Sequence, residues 1–205
     1  TYTVTPYNGI FAGATFKITV LVDPIATVSA SSIAVCSGSS FSFTPTSAVP
    51  LGTTYTWTMP SISPNGSVTG MTNATTAQPN VNQTLTNVTE YQAQALYTVT
   101  PLSGTCPGPN FNLVATVNPI PKLNSSLNMG LYCSGKPFSY SLSSLTPNTT
   151  YSWSRTPNAS ISPSNRNGTS SAIAETLTNS SANPIVVLYS VDLTANTCPN
   201  TQTVS

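Results

Sequence analysis

"LYTVTPLSGTCPG", Leu96 to Gly108, decides the fold class. Tyr97 and Val99 alternate with threonines, so one face of the segment is apolar and the other carries hydroxyls. Pro and Gly then punctuate it. Strands with one apolar and one hydroxyl face belong to antiparallel sheets with a wet side. The phrase is not alone. It returns as "LYSVDLTANTCPN" at Leu188 to Asn200, a shift of 92, and "YTVTPYNGIFAG" at Tyr2 to Gly13 precedes it by 95.

Other phrases echo in step. "VCSGSSFSFTP" (Val35 to Pro45) returns as "YCSGKPFSYSL" (Tyr132 to Leu142), "TTYTWT" (Thr53 to Thr58) as "TTYSWS" (Thr149 to Ser154), and "TLTN" (Thr84 to Asn87) as "TLTN" (Thr176 to Asn179). "VDPI" at Val22 to Ile25 matches "VNPI" at Val117 to Ile120. Self-similarity at this period means tandem modules. The chain reads as the C-terminal part of a preceding repeat (1–24), a complete repeat (25–119) and a second repeat lacking its last few residues (120–205). The shift falls from 97 to 92 between the "CSG" phrase and "TLTN", which predicts a shortened surface loop in the second copy.

Composition excludes several classes. Charged residues make up 4% of the 205, the net charge is +1 and there is no His. Nucleic acid and anionic membranes both require clustered Lys and Arg, so neither is expected as a partner. No apolar run approaches the length of a membrane span, so no membrane insertion is expected in this segment. Hydrophobic residues at 39%, in alternation, argue against disorder.

Repeats of about 95 residues with some seven strands and an early Trp predict an all-β chain of immunoglobulin-like sandwiches stacked end to end. Strand B is assigned to Phe41–Thr44, C to Tyr55–Met59, E to Val81–Leu85, F to Leu96–Pro101 and G to Phe111–Val117. Trp57 and Trp153 are expected in the core between sheets, with Tyr97 and Tyr189 as structural tyrosines of strand F.

The series "CSG…FSFTP…TTYTWT…TLTN…YTVTP…GTCPG…VNP" resembles the PKD-like repeats carried in tandem by very large surface proteins of Bacteroidetes. The resemblance covers essentially the whole chain. It implies export by the type IX secretion system and display on the bacterial cell surface in a long adhesin filament of gliding motility. It further implies contact with gliding and secretion machinery through other parts of the protein. Phe11, where the later copies have Cys106 and Cys198, departs from the pattern.

Catalysis is not expected. An enzyme needs a base, an acid, a metal or a cofactor. The four acids, Asp23, Glu90, Glu175 and Asp192, are scattered and read as isolated surface groups. They are too few to fill Ca²⁺ sites at each junction, so no metal or cofactor is expected. Rigidity falls instead to the short junctions, where Pro24, Pro119 and Pro121 restrict the chain. The expected partners are neighbouring repeats of the same chain. The rival reading is a module that itself binds surface polysaccharide, with Tyr7, Tyr91 and Phe11 as exposed stacking candidates. Sequons at Asn65, Asn73, Asn87, Asn148 and Asn179 arise freely in a chain this rich in Asn, Ser and Thr, and in a bacterial protein most would stay unmodified.

The cysteines carry the last expectation. Exported cysteines are oxidised, and the obvious bonds are Cys36–Cys106 and Cys133–Cys198, within repeats. Sandwich topology argues otherwise. Strands B and F run the same way, so the start of B and the end of F lie at opposite poles, about 20 Å apart for seven strand residues. Bridged Cα atoms lie within about 7 Å. Across a junction the two poles meet, which favours Cys36 with Cys198. Cys106 and Cys133 would then pair with repeats outside this sequence.

Overall fold

The computed structural model describes residues 1–45 and 49–205, and every regular element in it is a strand. A hairpin of β1 (Tyr2–Val4) and β2 (Phe16–Ile18) leads into two sandwiches. The first contains β3 (Ser31–Cys36), β4 (Ser40–Phe43), β5 (Thr54–Trp57), β6 (Ala74–Gln78), β7 (Val81–Thr84), β8 (Ala93–Ser103) and β9 (Phe111–Asn118). The second contains β10 (Pro137–Ser141), β11 (Thr150–Arg155), β12 (Ala172–Thr176), β13 (Tyr189–Ala195) and β14 (Cys198–Val204). The strands assigned from sequence as B, C, E, F and G are β4, β5, β7, β8 and β9.

Alternation in the sequence becomes alternation in burial. Along β8, every second residue from Ala93 to Ser103 is buried and the intervening ones face solvent wholly or in part. One sheet of the first sandwich runs β6–β5–β8–β9–β3, and the facing sheet pairs β4 with β7. Phe41, Trp57, Tyr97, Val99 and Leu113 meet between them, with the Phe41 and Tyr97 rings edge-on at 6.0 Å. The second sandwich repeats this with β11–β13–β14 facing β10–β12 around Phe138, Trp153, Tyr189 and Val191.

Three features differ from the sequence reading. Strand β3 lies parallel to β9, Ile33 opposite Ala115 and Cys36 opposite Asn118, so the larger sheet is not purely antiparallel. The linker delivers the chain to the far edge of the sheet, and from there it can only run alongside β9 in the same direction. The counterpart of β3 in the second sandwich, around Asn128 to Cys133, forms no strand.

The third difference is a correction: Glu175 is not a surface acid. It is 4% exposed and sits on β12 opposite Phe138, where Gln83 sits on β7 opposite Phe41. Period two had already turned it inward, in step with Ile173. Its carboxylate lies 3.4 Å from Arg155 Nε and 3.8 Å from Arg166 Nε, which supply the charge that burial demands. Nor are Glu90 and Asp192 isolated, for each accepts a threonine hydroxyl, at 3.0 Å from Thr146 and 2.6 Å from Thr201. Asp23 is exposed.

Candidate functional site: the junction between sandwiches

The residues with the most specific geometry lie where one sandwich meets the next. Pro119 and Pro121 fix the backbone of a linker with no flexible spacer, and both are buried. Asn118, at the end of β9, donates from Nδ2 to the carbonyl of Asn196 at 3.3 Å. Asn196 occupies the turn between β13 and β14. From that same hairpin, Asn200 Nδ2 donates to Pro121 O at 2.8 Å, and Gln202 Oε1 accepts from Leu123 N at 2.6 Å. Thr146 donates its hydroxyl to Glu90 from the other side of the junction.

A disulfide closes the arrangement. The structure joins Cys36, at the end of β3, to Cys198, at the start of β14, with Cα atoms 5.6 Å apart. Cys36 lies beside Asn118 in the β3–β9 register, so the linker and the bond reach the same hairpin together. Cys106 and Cys133 are free, Cys106 half-buried and Cys133 exposed.

The preceding junction has the same plan. Asp23 precedes Asn118 by the 95-residue shift, and Gly104 precedes Asn196 by 92. A methyl built on Gly104 would stand 3.3 Å from Asp23 Oδ2. Ala26 and Gly108 correspond likewise to Pro121 and Asn200. A Cβ on Gly108 would fall 1.9 Å from Ala26 O, so here backbone packs directly on backbone where the later junction uses an amide hydrogen bond. The linker of each junction docks on the hairpin that follows it.

The remaining expected residues sit as follows. Trp57 and Trp153 are each 6% exposed, and Tyr97 and Tyr189 are at most 1%. Trp57 Nε1 donates to Thr72 O at 2.9 Å, whereas Trp153 Nε1 has no partner among the described residues. Tyr97 donates its hydroxyl to Gln83 Oε1 at 3.0 Å, and Tyr189 donates to Glu175. Burial pushes both phenols well above their ordinary range, and at Tyr189 the bond to Glu175 adds to the effect.

Tyr7, Phe11 and Tyr91 are exposed at 68%, 74% and 64%. Tyr7 and Phe11 share a tight hairpin, while Tyr91 lies in the turn before β8. Asn87 is buried, its Nδ2 bound to the carbonyls of Tyr91 and Val117, so that sequon cannot accept a glycan in the folded chain. Among the described residues no three His, Cys, Asp or Glu side chains gather as a metal site.

The sequence model of the PKD-like domain matches residues 33–121 and 131–203, well over half of the chain. The chain belongs to the PKD-like domain family. No curated protein matches it. Among solved structures it is similar to "DIP-gamma IG1+IG2" at 9% identity, covering 90% of this chain and 96% of that one with a TM-score of 0.37. A chimeric titin Z1Z2-Z1Z2 tandem follows at 11% identity, 84% and 92% coverage and a TM-score of 0.29. A chimeric titin Z1Z2 stands at 13% identity, 87% and 92% coverage and a TM-score of 0.25. Likeness this distant carries no argument for function.

Proposed function

We propose that these domains are structural spacers in the stalk of an exported adhesin filament on a bacterial cell surface, serving attachment or gliding motility. The observation that carries the reading is the recurring dock of linker on hairpin, locked at the later junction by the Cys36–Cys198 bond. A module used once has no need of a device that sets its neighbour's position. Repeats that contact mainly their neighbours extend indefinitely from one solved packing problem. The disulfide and the family both favour an extracellular setting, since such bonds persist where thiols are not kept reduced. Export by the type IX route, contact with gliding machinery through other regions, and the likeness to the gliding adhesin SprB belong to this same proposal.

Small-angle scattering on fragments with increasing numbers of repeats tests the reading. Strands of some seven residues at about 3.3 Å each, plus loops, give about 35–45 Å of added length per repeat. A maximum dimension that does not grow with repeat number would sink the stalk. Removing one repeat from the full-length protein should shorten its reach and leave its attachment intact. Loss of polysaccharide binding on Tyr7→Ala or Tyr91→Ala, with folding unchanged, would support the rival reading instead.

A further inference from the structure

The chain holds three Asn-Gly pairs, at Asn8, Asn65 and Asn167. In such a pair the backbone nitrogen of the glycine can close a cyclic imide on the asparagine carboxamide, since glycine puts no Cβ in the way. The ring closes only where that nitrogen is free to move. Asn8–Gly9 belongs to a tight hairpin ahead of the sandwiches. The other two pairs lie within the sandwiches, in opposite surroundings.

Asn65 and Gly66 form the tip of the turn Pro64–Ser67, and both are exposed. Ser67 closes the turn, donating from N and Oγ to Pro64 O at 3.2 and 2.5 Å. Gly66 has φ +77°, and its N has no backbone acceptor among the described residues. A Cβ built on it would meet nothing within 4 Å, so the tip has room to rearrange. Gly168 is held instead. Asn167 and Gly168 pair with Ser154 and Trp153 on β11. Arg155 N donates to Arg166 O at 2.9 Å, and bonded pairs alternate along an antiparallel ladder, so Trp153–Gly168 is the next bonded pair and Gly168 N is engaged. The backbone there also lies against the indole, 2.6 Å from Cζ2 to a built Cβ. The turn at Asn65 recurs in the second sandwich, "SISPN" as "SISPS", without an Asn-Gly pair at its tip.

The exposed turn supports the junction. Ser67 O accepts from Val88 N at 2.9 Å. Val88 opens the loop that carries Glu90, which takes the Thr146 hydroxyl across the junction at 3.0 Å. We infer that Asn65 is a self-modifying site: in water the folded chain converts it to isoaspartate, leaving Asn167 intact, and the conversion loosens the Val88 end of that loop. The inference holds or fails independently of the stalk reading.

The reaction needs water alone. Gly66 N attacks Asn65 Cγ, and the carboxamide nitrogen leaves as ammonia, carrying away the proton of Gly66 N. Water then opens the imide. Cleavage of the bond between Cγ and nitrogen gives aspartate. Cleavage at the backbone carbonyl carbon gives isoaspartate, with the main chain now routed through Cβ and Cγ. Either product exchanges a neutral amide for a carboxylate, with no change of oxidation state. The rerouted backbone is longer by one carbon, so Ser67 can no longer hold both Pro64 O and Val88 N in the present geometry.

The test incubates the 205-residue chain in ¹⁸O-water at mildly alkaline pH, with and without urea, and maps its peptides by mass spectrometry. In the folded chain the Asn65 peptide should gain label and the isoaspartate form about tenfold faster than the Asn167 peptide, the rate worth of the one ladder bond that Gly168 must first break. In urea the two rates should converge, because the reacting atoms are the same. Equal rates in the folded chain, or a gap that persists in urea, would overturn the assignment. The aged chain should also exchange the Val88 amide proton faster than the fresh chain. Asn65→Gln, at an exposed position, should abolish both the label at that site and the change in exchange. Unchanged exchange at Val88 after Asn65 has converted would overturn the link to the junction.

Discussion

Glu175 occupies in the second sandwich the position that Gln83 occupies in the first, and each takes the hydroxyl proton of a buried strand tyrosine, Tyr189 and Tyr97. The neutral amide needs no counter-ion. Its Nε2 donates to Thr72 Oγ1 and O instead, tying β7 to the loop before β6. The carboxylate brings Arg155, whose side chain is 1% exposed and donates to the carbonyl of Pro163. One fold thus solves the same polar position in two ways.

Glu175→Gln should therefore destabilise the second sandwich, although it copies the first. It leaves the Arg155 charge buried with no carboxylate, at a cost of about 3–5 kcal/mol. Urea melts of the single variants and of Glu175→Gln/Arg155→Met should show strong non-additivity, the double variant being more stable than Glu175→Gln alone. Additive losses would mean that the pair is uncoupled.

Alkaline stability follows from the tyrosines. The folded-state pKa values of Tyr97 and Tyr189 lie above the unfolded value near 10, mainly because burial disfavours the phenolate. Their contribution is complete below pH 10. It falls as pH rises toward the folded values, because the unfolded chain gives up protons that the native chain keeps. The slope should approach about 1.4 kcal/mol per pH unit for each such tyrosine. Denaturation midpoints between pH 9 and 11 check this, and Tyr97→Phe should flatten the decline in the first sandwich.

The two tryptophans should respond differently to the same change. Trp57→Ala and Trp153→Ala each remove a buried indole, at about 3–5 kcal/mol. Trp57→Phe also removes the indole bond to Thr72 O, which keeps its bond from Gln83 Nε2, and the lost hydrogen bond should add about 1 kcal/mol over Trp153→Phe, where none is lost. Across from Trp57 stands Ala74, and across from Trp153 stands Gly168, on which a Cβ would fall 2.6 Å from the indole Cζ2. Gly168→Ala should overpack the second sandwich by about 1–3 kcal/mol. Thermal melts of the five variants separate these effects.

What the sequence disclosed and what it hid divide on physical lines. The five assigned strands of the first sandwich were legible because period-two alternation is the direct imprint of a half-buried sheet. Strand β3 was harder to read, since its partner is a parallel strand about eighty residues later in the chain and nothing local marks the pairing. The burial of Glu175 was open to a reader who trusted alternation over charge, because Ile173 and the Gln83 counterpart both point the side chain inward. The junction contacts through Asn118, Asn200 and Gln202 were silent, since polar residues at loop ends look like any solvated turn.

Gly108→Ala should loosen the first junction without unfolding the sandwich below it. The added methyl meets the Ala26 carbonyl and Pro101, both held in place, so the linker must lift away. Limited proteolysis should then cut between residues 22 and 27 faster, while the melting temperature of the first sandwich stays nearly constant. Unchanged cleavage would show that the linker is not held by this contact.

The bond between Cys36 and Cys198 also decides where a pull on the two ends is felt. Force entering at residue 1 passes to Cys36, crosses the sulfurs and leaves through the last residues of β14. The intervening stretch, 162 positions of sequence, hangs off that route as a closed loop, so its unravelling lengthens nothing. At about 3.3–3.6 Å per extended residue, the hidden slack is on the order of 550 Å. A single-molecule tether should reveal that length only after a reductant is added. One pair of sulfur atoms thereby makes the extensibility of the whole segment a property of its redox surroundings.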